Sequence, residues 1–204
     1  MWVALNKKKK ESWLNSEEFT NQNFCNIDHS GKNIDGISFY NCTFTQCSFS
    51  NSAIASSIFE GCNYIDSDLS MARFSDSSIP ECSFNKCRLN GIDWSQLKSK
   101  IGIKLSMRDC DLSYSTFIDM DLSESKLLEC RIHEADFTGT ILKKSRFTGS
   151  DLLRTVFSGT DLREADLRRA YNYFFDPGKN KCKGVRLSHI EAIDLLEAYG
   201  IRIE

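Results

Sequence analysis

Residues 135–169 read ADFTGTILKKSRFTGSDLLRTVFSGTDLREADLRR, and a large apolar residue returns in this stretch at every fifth position. We call these positions centres, and we call the residue two places before each centre, here Ala, Ser or Thr, the small position. A period of five fits no α-helix, in which successive centres would lie about 140° apart, and no flat strand, which would alternate them between faces. A coil with four sides of five residues places every centre inside.

The five-residue period extends over most of the 204 residues. One series of centres runs from Ile34 to Trp94 and a second runs from Met107 to Leu167, with a large apolar residue at each step. The first phase continues backwards through Phe24, Phe19 and Leu14. His29 interrupts it, and we expect this side chain to be partly exposed near a frayed end. The sequence therefore predicts one all-β solenoid.

A four-sided coil brings residues that are one turn, or twenty positions, apart into contact, because each turn stacks on the next at about 4.8 Å. Like residues then form columns: Phe24, Phe44, Tyr64 and Phe84 in one, and Phe117, Phe137 and Phe157 in another. Seven of the nine cysteines occupy small positions, among them the column Cys42, Cys62 and Cys82. Cysteine serves there as a small apolar residue, so we expect these thiols to be buried and reduced.

Departures from the period divide the chain. The spacing from Trp94 to Met107 is two repeats plus three residues, so the segment near 95–106 should bulge or kink the rod. A last turn that ends at Leu187 should follow a looped-out segment near 171–183. The expected order is a basic leader at 1–13, the coil at 14–187 and a tail at 188–204.

The tail should form a short α-helix. Ser188-His-Ile-Glu191 has the form of a capping box, in which the Ser188 hydroxyl accepts a hydrogen bond from the Glu191 amide. Gly200 suits the C-terminal end of such a helix. An apolar helix face at the open end of a solenoid either caps the coil or binds the same tail of a second molecule. We expect a homodimer whose interface contains Ile193, Leu196, Tyr199 and Ile201.

Composition and spacing argue against several classes of function. The lysines at 7–10 follow a short apolar start, and no run approaches the roughly 18 apolar residues of a membrane span, so we expect a cytoplasmic protein with no membrane partner. His29, His133 and His189 are scattered and no Cys-x-x-Cys pair occurs. We therefore expect no enzyme and no catalytic, cofactor or metal site. Direct nucleic-acid binding is disfavoured because the sequence shows no basic stripe.

The repeat consists of a small residue, then Asp, Asn or Ser, then Leu or Phe, and then two positions of any type, as in Ala135-Asp-Phe-Thr-Gly and Ala165-Asp-Leu-Arg-Arg. It resembles the repeat of the pentapeptide-repeat family. The resemblance covers most of residues 14–170 and implies a right-handed quadrilateral β-helix. A narrower likeness to the albicidin-resistance branch, a relative of the quinolone-resistance proteins, is carried by Gly91-Ile-Asp-Trp94, Leu128-Glu-Cys-Arg-Ile-His-Glu-Ala-Asp-Phe137 and Tyr199-Gly-Ile-Arg-Ile. It implies a dimer joined through its C-terminal tails that mimics duplex DNA, binds DNA gyrase and protects it from poisons.

The charge of the chain limits this DNA mimicry. Residues 11–168 hold 23 acidic and 16 basic side chains, and the whole chain has a net charge of only −2. A dimer roughly 80 Å long would replace a duplex that carries about 47 charges, so only shape or local acidic patches can serve. The outward acidic residues that we expect to bind the partner are Asp93, Asp109, Asp111, Asp119, Asp121, Glu124, Glu129 and Glu134. The alternative function is an adaptor or scaffold for another protein, unrelated to gyrase.

Overall fold

The computed structural model describes residues 18–197 and 200–201, which wind into a four-sided parallel β-solenoid followed by one short helix. Each side is a short segment centred on an apolar residue, and equivalent segments of successive turns pair in parallel. The fold class that the five-residue period predicts is confirmed. The leader at 1–13, Leu14 and Tyr199 lie outside the described residues.

We number the four sides in the order in which the chain follows them. Face 1 is a six-stranded sheet of β2 (Asn23–Cys25), β5 (Thr43–Thr45), β8 (Asn63–Ile65), β10 (Ser83–Asn85), β11 (Ser106–Arg108) and β12 (Lys126–Leu128). Face 3 contains β3 (Asn33–Asp35), β6 (Ala53–Ala55) and β9 (Arg73–Ser75), and face 4 contains β1 (Glu18–Thr20), β4 (Ser38–Tyr40) and β7 (Ile58–Glu60). Isolated parallel bridges, such as Asp28↔Ser48 and Asp151↔Tyr171, join face 2 and the later turns of the other faces.

The centres fill the coil as stacked columns. Phe44 lies between Phe24 and Tyr64, with ring centroids 5.0 Å and 4.8 Å away and nearly parallel planes. Phe137 is fully buried, and its ring lies 4.7 Å from Phe117 and 5.6 Å from Phe157. The predicted aromatic columns are confirmed. The column Cys42, Cys62 and Cys82 is buried as predicted, while its redox state stays a prediction.

The phase break leaves the stacking register intact on both sides. Strand β10 pairs with β11 so that Phe84 lies opposite Met107. The separation of these two residues along the chain is three residues longer than one regular turn. The Lys98 amide donates to the Ser77 carbonyl of the turn below (3.0 Å), and the Lys100 carbonyl accepts from the Asp121 amide of the turn above (2.7 Å). The Leu105 carbonyl accepts from the Lys126 amide (2.8 Å), so the extra residues project between Lys100 and Leu105, and Ile101 is 79% exposed. We call residues 98–104 the phase-break loop.

The segment 171–183 is not looped out. Tyr171 bridges Asp151 and Lys181 bridges Asp161, each at the regular distance of one turn. The chain stays in register because Phe175 enters the core, where its ring packs edge-on against Phe157. The prediction of a loop was wrong because this segment lacks apolar residues at the expected centres but supplies them at other positions.

His29 is buried rather than partly exposed, since only 5% of it is accessible and its ring lies parallel to Phe49 at 6.2 Å. The tail forms helix α1 (His189–Glu197) as expected. The capping box does not form, because the Ser188 hydroxyl accepts from the Arg169 amide of the preceding turn (2.6 Å). Among the described residues, no helix has the length and apolar character needed to cross a bilayer.

Candidate functional site

Aspartates just before the centres belong to local turns. Asp111 Oδ1 accepts from the Ser113 amide at 3.1 Å, and Asp121 Oδ1 accepts from the Ser123 amide at 3.0 Å. Asp93 Oδ1 accepts from the Ser95 amide in the same way, at 3.0 Å. This Asx turn explains why the repeat favours Asp at this position. Three of the eight predicted partner-binding residues therefore stabilise a local backbone turn.

The other five acidic residues occupy the corners, two places after a centre. Asp109, Asp119, Glu124, Glu129 and Glu134 all have a positive φ there, between 53° and 62°. This left-handed conformation costs a non-glycine residue free energy, which the stacked turns above and below must offset. The corner position turns each of these side chains into solvent, and all five are exposed.

The eight predicted acidic residues do not form one patch. The corner between faces 3 and 4, which we call corner 3/4, holds Asp119, with Asp121 beside it on face 4 and Asp93 one turn below on face 3. Asp109 and Glu129 lie at the diagonally opposite corner, between faces 1 and 2. Asp111 and Glu134 belong to face 2 and to the corner that follows it, and Glu124 lies at the corner between faces 4 and 1.

Half of these acidic residues form ion pairs. Glu124 lies 2.7 Å from Lys104, Glu129 lies 3.1 Å from Arg108, and Glu134 lies 3.5 Å from Arg154. Asp111 pairs with Arg131 one turn above.

These pairs affect the carboxyl groups themselves. The hydrogen bond from Lys104 lowers the pKa of Glu124. Burial opposes ionisation of Asp111, but the Arg131 guanidinium and Ser113 outweigh it and lower the pKa of this carboxyl. Within the described part of the chain, Asp93, Asp109, Asp119 and Asp121 have no basic partner within ion-pair distance.

Corner 3/4 combines the unpaired carboxylates with the phase-break loop. The Asp121 amide donates to the loop carbonyl of Lys100, so Asp119 and Asp121 stand directly beside the loop. Gly139, one turn above, has a φ of +68°, and a Cβ there would lie 2.2 Å from Asp119 Oδ1. Glycine thus lets the Asp119 carboxylate rest over the neighbouring corner. The loop beside these carboxylates carries Lys98, Lys100 and the exposed apolar side chain of Ile101.

The tail divides its apolar residues between the coil and solvent. Leu195 is buried in the core cluster, although the sequence pattern does not single it out. Leu196 is 40% exposed and Ile201 is 49% exposed, while Ile193 is half-buried. The helix therefore both caps the coil and leaves an apolar strip in solvent. Tyr199, the fourth predicted interface residue, is not among the described residues.

The helix ends as expected at glycine. Gly200 has a φ of +74°, its amide donates to the Glu197 carbonyl, and the Ile201 amide donates to the Leu196 carbonyl. These two bonds form the Schellman arrangement, which fixes the direction in which Ile201 leaves the helix.

His133 has an ionisable partner in the coil. Its Nε2 lies 2.7 Å from Asp151 Oδ2, and the Asn172 amide group donates to the other carboxylate oxygen at 2.8 Å. Within residues 18–197, no group of three or more His, Cys, Asp or Glu side chains is placed to hold a metal ion. The His133–Asp151 pair links two turns of face 2.

Family and structural comparisons identify the repeat. Residues 106–143 and 141–171 match the family model for pentapeptide repeats, with eight copies. Residues 106–171 therefore consist of pentapeptide repeats. No curated protein matches its sequence.

The solved structures that resemble this chain include QnrB1, a plasmid-mediated fluoroquinolone resistance protein. One trypsin-treated variant of QnrB1 is 21% identical with a TM-score of 0.63, over 92% of this chain and 100% of that chain. A second such variant is 26% identical with a TM-score of 0.61, over 92% of this chain and 90% of that chain. HetL, a pentapeptide-repeat protein involved in heterocyst differentiation in the cyanobacterium Nostoc, is 17% identical with a TM-score of 0.46, over 91% of this chain and 93% of that chain.

Proposed function

We propose that this pentapeptide-repeat protein binds DNA gyrase or a related type II topoisomerase and protects it from an antibiotic or toxin, without catalysing a reaction. The observation that carries the proposal is the likeness to QnrB1, a fluoroquinolone resistance protein, over 92% of the chain at 26% identity. The albicidin-resistance likeness of three sequence segments supports the same target.

The filled core supports a function of the surface. Centres such as Phe137, Leu142 and Leu162 have no accessible surface, and small side chains close the coil between them. Within the described residues the coil is therefore filled, and it offers outward faces rather than the deep apolar cleft in which small-molecule and catalytic sites usually lie. The partner must therefore be recognised by shape and by outward charge.

Corner 3/4 is the surface that we propose for the contact. Asp93, Asp119 and Asp121 are free of ion pairs within the described residues, whereas most of the other predicted acidic residues are paired with a basic residue. Their charge would attract the basic saddle that normally binds duplex DNA. We further propose that the protein acts in the cytoplasm as a homodimer joined through its tails, which would present corner 3/4 twice along one rod.

The test is a gyrase supercoiling assay with and without a fluoroquinolone, titrated with wild type and with two matched variants. One is the double variant Asp119→Lys/Asp121→Asn, in which Asn keeps the acceptor that the Ser123 turn needs. The other is Asp109→Lys, at the opposite corner. Lysine is tolerated at these corners, because Lys86 and Lys144 have the same positive φ.

We expect wild type and Asp109→Lys to change supercoiling or rescue it from the poison at micromolar concentration. The double variant should need about tenfold more protein at low salt, because charge steering is lost. If wild type neither inhibits nor rescues gyrase, the proposal fails and an adaptor role replaces it. Equal loss in both variants would leave gyrase as the target but remove corner 3/4 as the contact.

A further inference from the structure

The stacking gathers basic residues that are dispersed in the sequence. On face 1, Lys126, Arg146 and Arg186 occupy one outward column, with Asp166 between the two arginines. On face 4, Lys143 and Lys183 share a second column across the corner, and Lys181 lies beside them on the same face. The sequence shows no basic stripe because these residues are up to sixty positions apart, although they lie within four successive turns.

None of these six side chains is neutralised in the described part of the chain. Faces 1 and 4 and their corners also carry carboxylates between residues 124 and 187. These carboxylates are already paired with other cations. Arg168 donates to Asp166 at 2.7 Å and 2.9 Å, and Arg163 donates to Asp161 at 2.8 Å. Glu124, Glu129 and Glu164 pair with Lys104, Arg108 and Lys144. The surface formed by Lys126, Lys143, Arg146, Lys181, Lys183 and Arg186, which we call the basic surface, therefore retains its positive charge.

The charge of the rod is divided along its length. Residues 18–124 hold 14 acidic and 8 basic side chains, a net of −6, whereas residues 126–186 hold 8 acidic and 13 basic side chains, a net of +5. The whole-chain value of −2 hides this division. An anionic partner would be repelled by the first turns and attracted by the last ones.

We propose that the basic surface binds the phosphate backbone of double-stranded nucleic acid. Three steps of about 4.8 Å separate Lys126 from Arg186, a length of about 14 Å. A duplex presents about eight phosphates over that distance, so a linear array of exposed lysine and arginine side chains matches a linear array of charge. The proposal goes beyond gyrase binding and does not depend on it.

Other anionic partners fit this surface less well. Single-stranded nucleic acid is usually held by aromatic side chains that stack on the bases. The exposed aromatic residues of the described chain, Tyr114, Tyr171 and Phe174, lie on face 2 and at the corner beyond it, away from the basic surface. An acidic protein segment is best held by guanidinium forks, and only Arg146 and Arg186 offer free ones here, because Arg163 and Arg168 already use theirs on Asp161 and Asp166. The other four members of the basic surface are lysines, which act as point charges.

The test measures binding of a fluorescein-labelled duplex by fluorescence anisotropy over a range of salt concentrations, with no gyrase present. Arg146→Gln/Arg186→Gln removes two charges from the basic surface. Arg73→Gln/Lys86→Gln removes two charges from exposed positions in the acidic part of the rod and is the matched control. Thermal unfolding of each variant checks that the coil is intact.

We expect wild type to bind the duplex at low salt, with the logarithm of the binding constant falling linearly with the logarithm of salt concentration. The basic-surface variant should lose about two units of that slope, about one for each phosphate contact, while the control keeps it. Absence of binding at low salt, or equal losses in both variants, would overturn the proposal. Tighter binding of a single strand or of polyglutamate than of the duplex would also overturn it, in favour of that partner.

Discussion

At the scale of single residues, the small position does more than fill space. The Ser67 hydroxyl accepts from the Cys47 amide at 3.1 Å, and its single proton is shared between the carbonyls of Phe44 and Ile65. Thr140 and Thr160 donate in the same way to the carbonyl of the centre in the turn below, at 2.7 Å and 2.9 Å. Buried backbone groups at the corners of the coil need such partners, since an unmade hydrogen bond there is costly. This need explains why the small position holds Ser, Thr or Cys more often than Ala.

The centre position can be tested at Phe137. Truncation by Phe137→Ala removes a ring that touches Phe117 and Phe157 in a dry column, so the free energy of unfolding should fall by about 3–5 kcal/mol. Chemical denaturation of wild type and variant measures the difference. Thr138→Ala, at the next and outward position, is the control and should change stability by less than about 0.5 kcal/mol. A loss below about 1 kcal/mol for Phe137→Ala would contradict the column.

The sequence predicts the interior well because each centre is decided by one property, the burial of a large apolar side chain. It predicts His29 wrongly, since an imidazole is compatible with both water and a core. The packing of His29 against Phe49 is decided by the turn that covers it, and no local pattern encodes that cover. The roles of the outward residues are harder to predict from the sequence, because they depend on neighbours one turn away.

At the scale of elements, the two breaks in the period have different outcomes. The phase-break loop adds three residues without disturbing the pairing of β10 with β11. The segment 171–183 keeps the period of the backbone but moves its apolar residues, and Asn180 compensates by accepting from the Thr160 amide and donating to the Phe157 carbonyl. A search of the sequence for apolar centres detects the first break correctly but interprets the second as a loop. In the second segment the backbone keeps its register while the apolar side chains occupy other positions of the repeat.

The tail helix allows capping and dimerisation to be tested separately. Leu195 is buried against the coil, so Leu195→Ala should lower the free energy of unfolding by about 2–4 kcal/mol. Ile190 and Leu196 are 72% and 40% exposed, so Ile190→Glu/Leu196→Glu should leave stability nearly unchanged and convert a dimer into monomers. Light scattering at micromolar concentration measures the mass. A monomeric wild type under those conditions would mean that the helix is only a cap.

At the scale of the whole molecule, the coil has an acidic part, residues 18–124, and a basic part, residues 126–186. The unpaired carboxylates at corner 3/4 lie beside the phase-break loop, whereas the basic surface lies in the last turns on faces 1 and 4. A uniform DNA mimic would be acidic along its whole length, so this chain departs from that description. The sequence predicts the acidic residues but not their distribution, because twenty-residue stacking must be applied to charged positions as well as to centres.

Two separate surfaces lead to a prediction about their independence. Asp119→Lys/Asp121→Asn should weaken the effect on gyrase by about tenfold at low salt and leave duplex binding unchanged or slightly stronger. Arg146→Gln/Arg186→Gln should reduce duplex binding and its salt dependence while gyrase inhibition or rescue stays within about twofold of wild type, because additivity holds for sites that share no partners. Supercoiling assays and anisotropy titrations on the same four proteins, with wild type and Arg73→Gln/Lys86→Gln as references, measure both effects. If each variant loses both activities together, the acidic corner and the basic surface belong to one composite interface, and the rod binds gyrase and its DNA as a single unit.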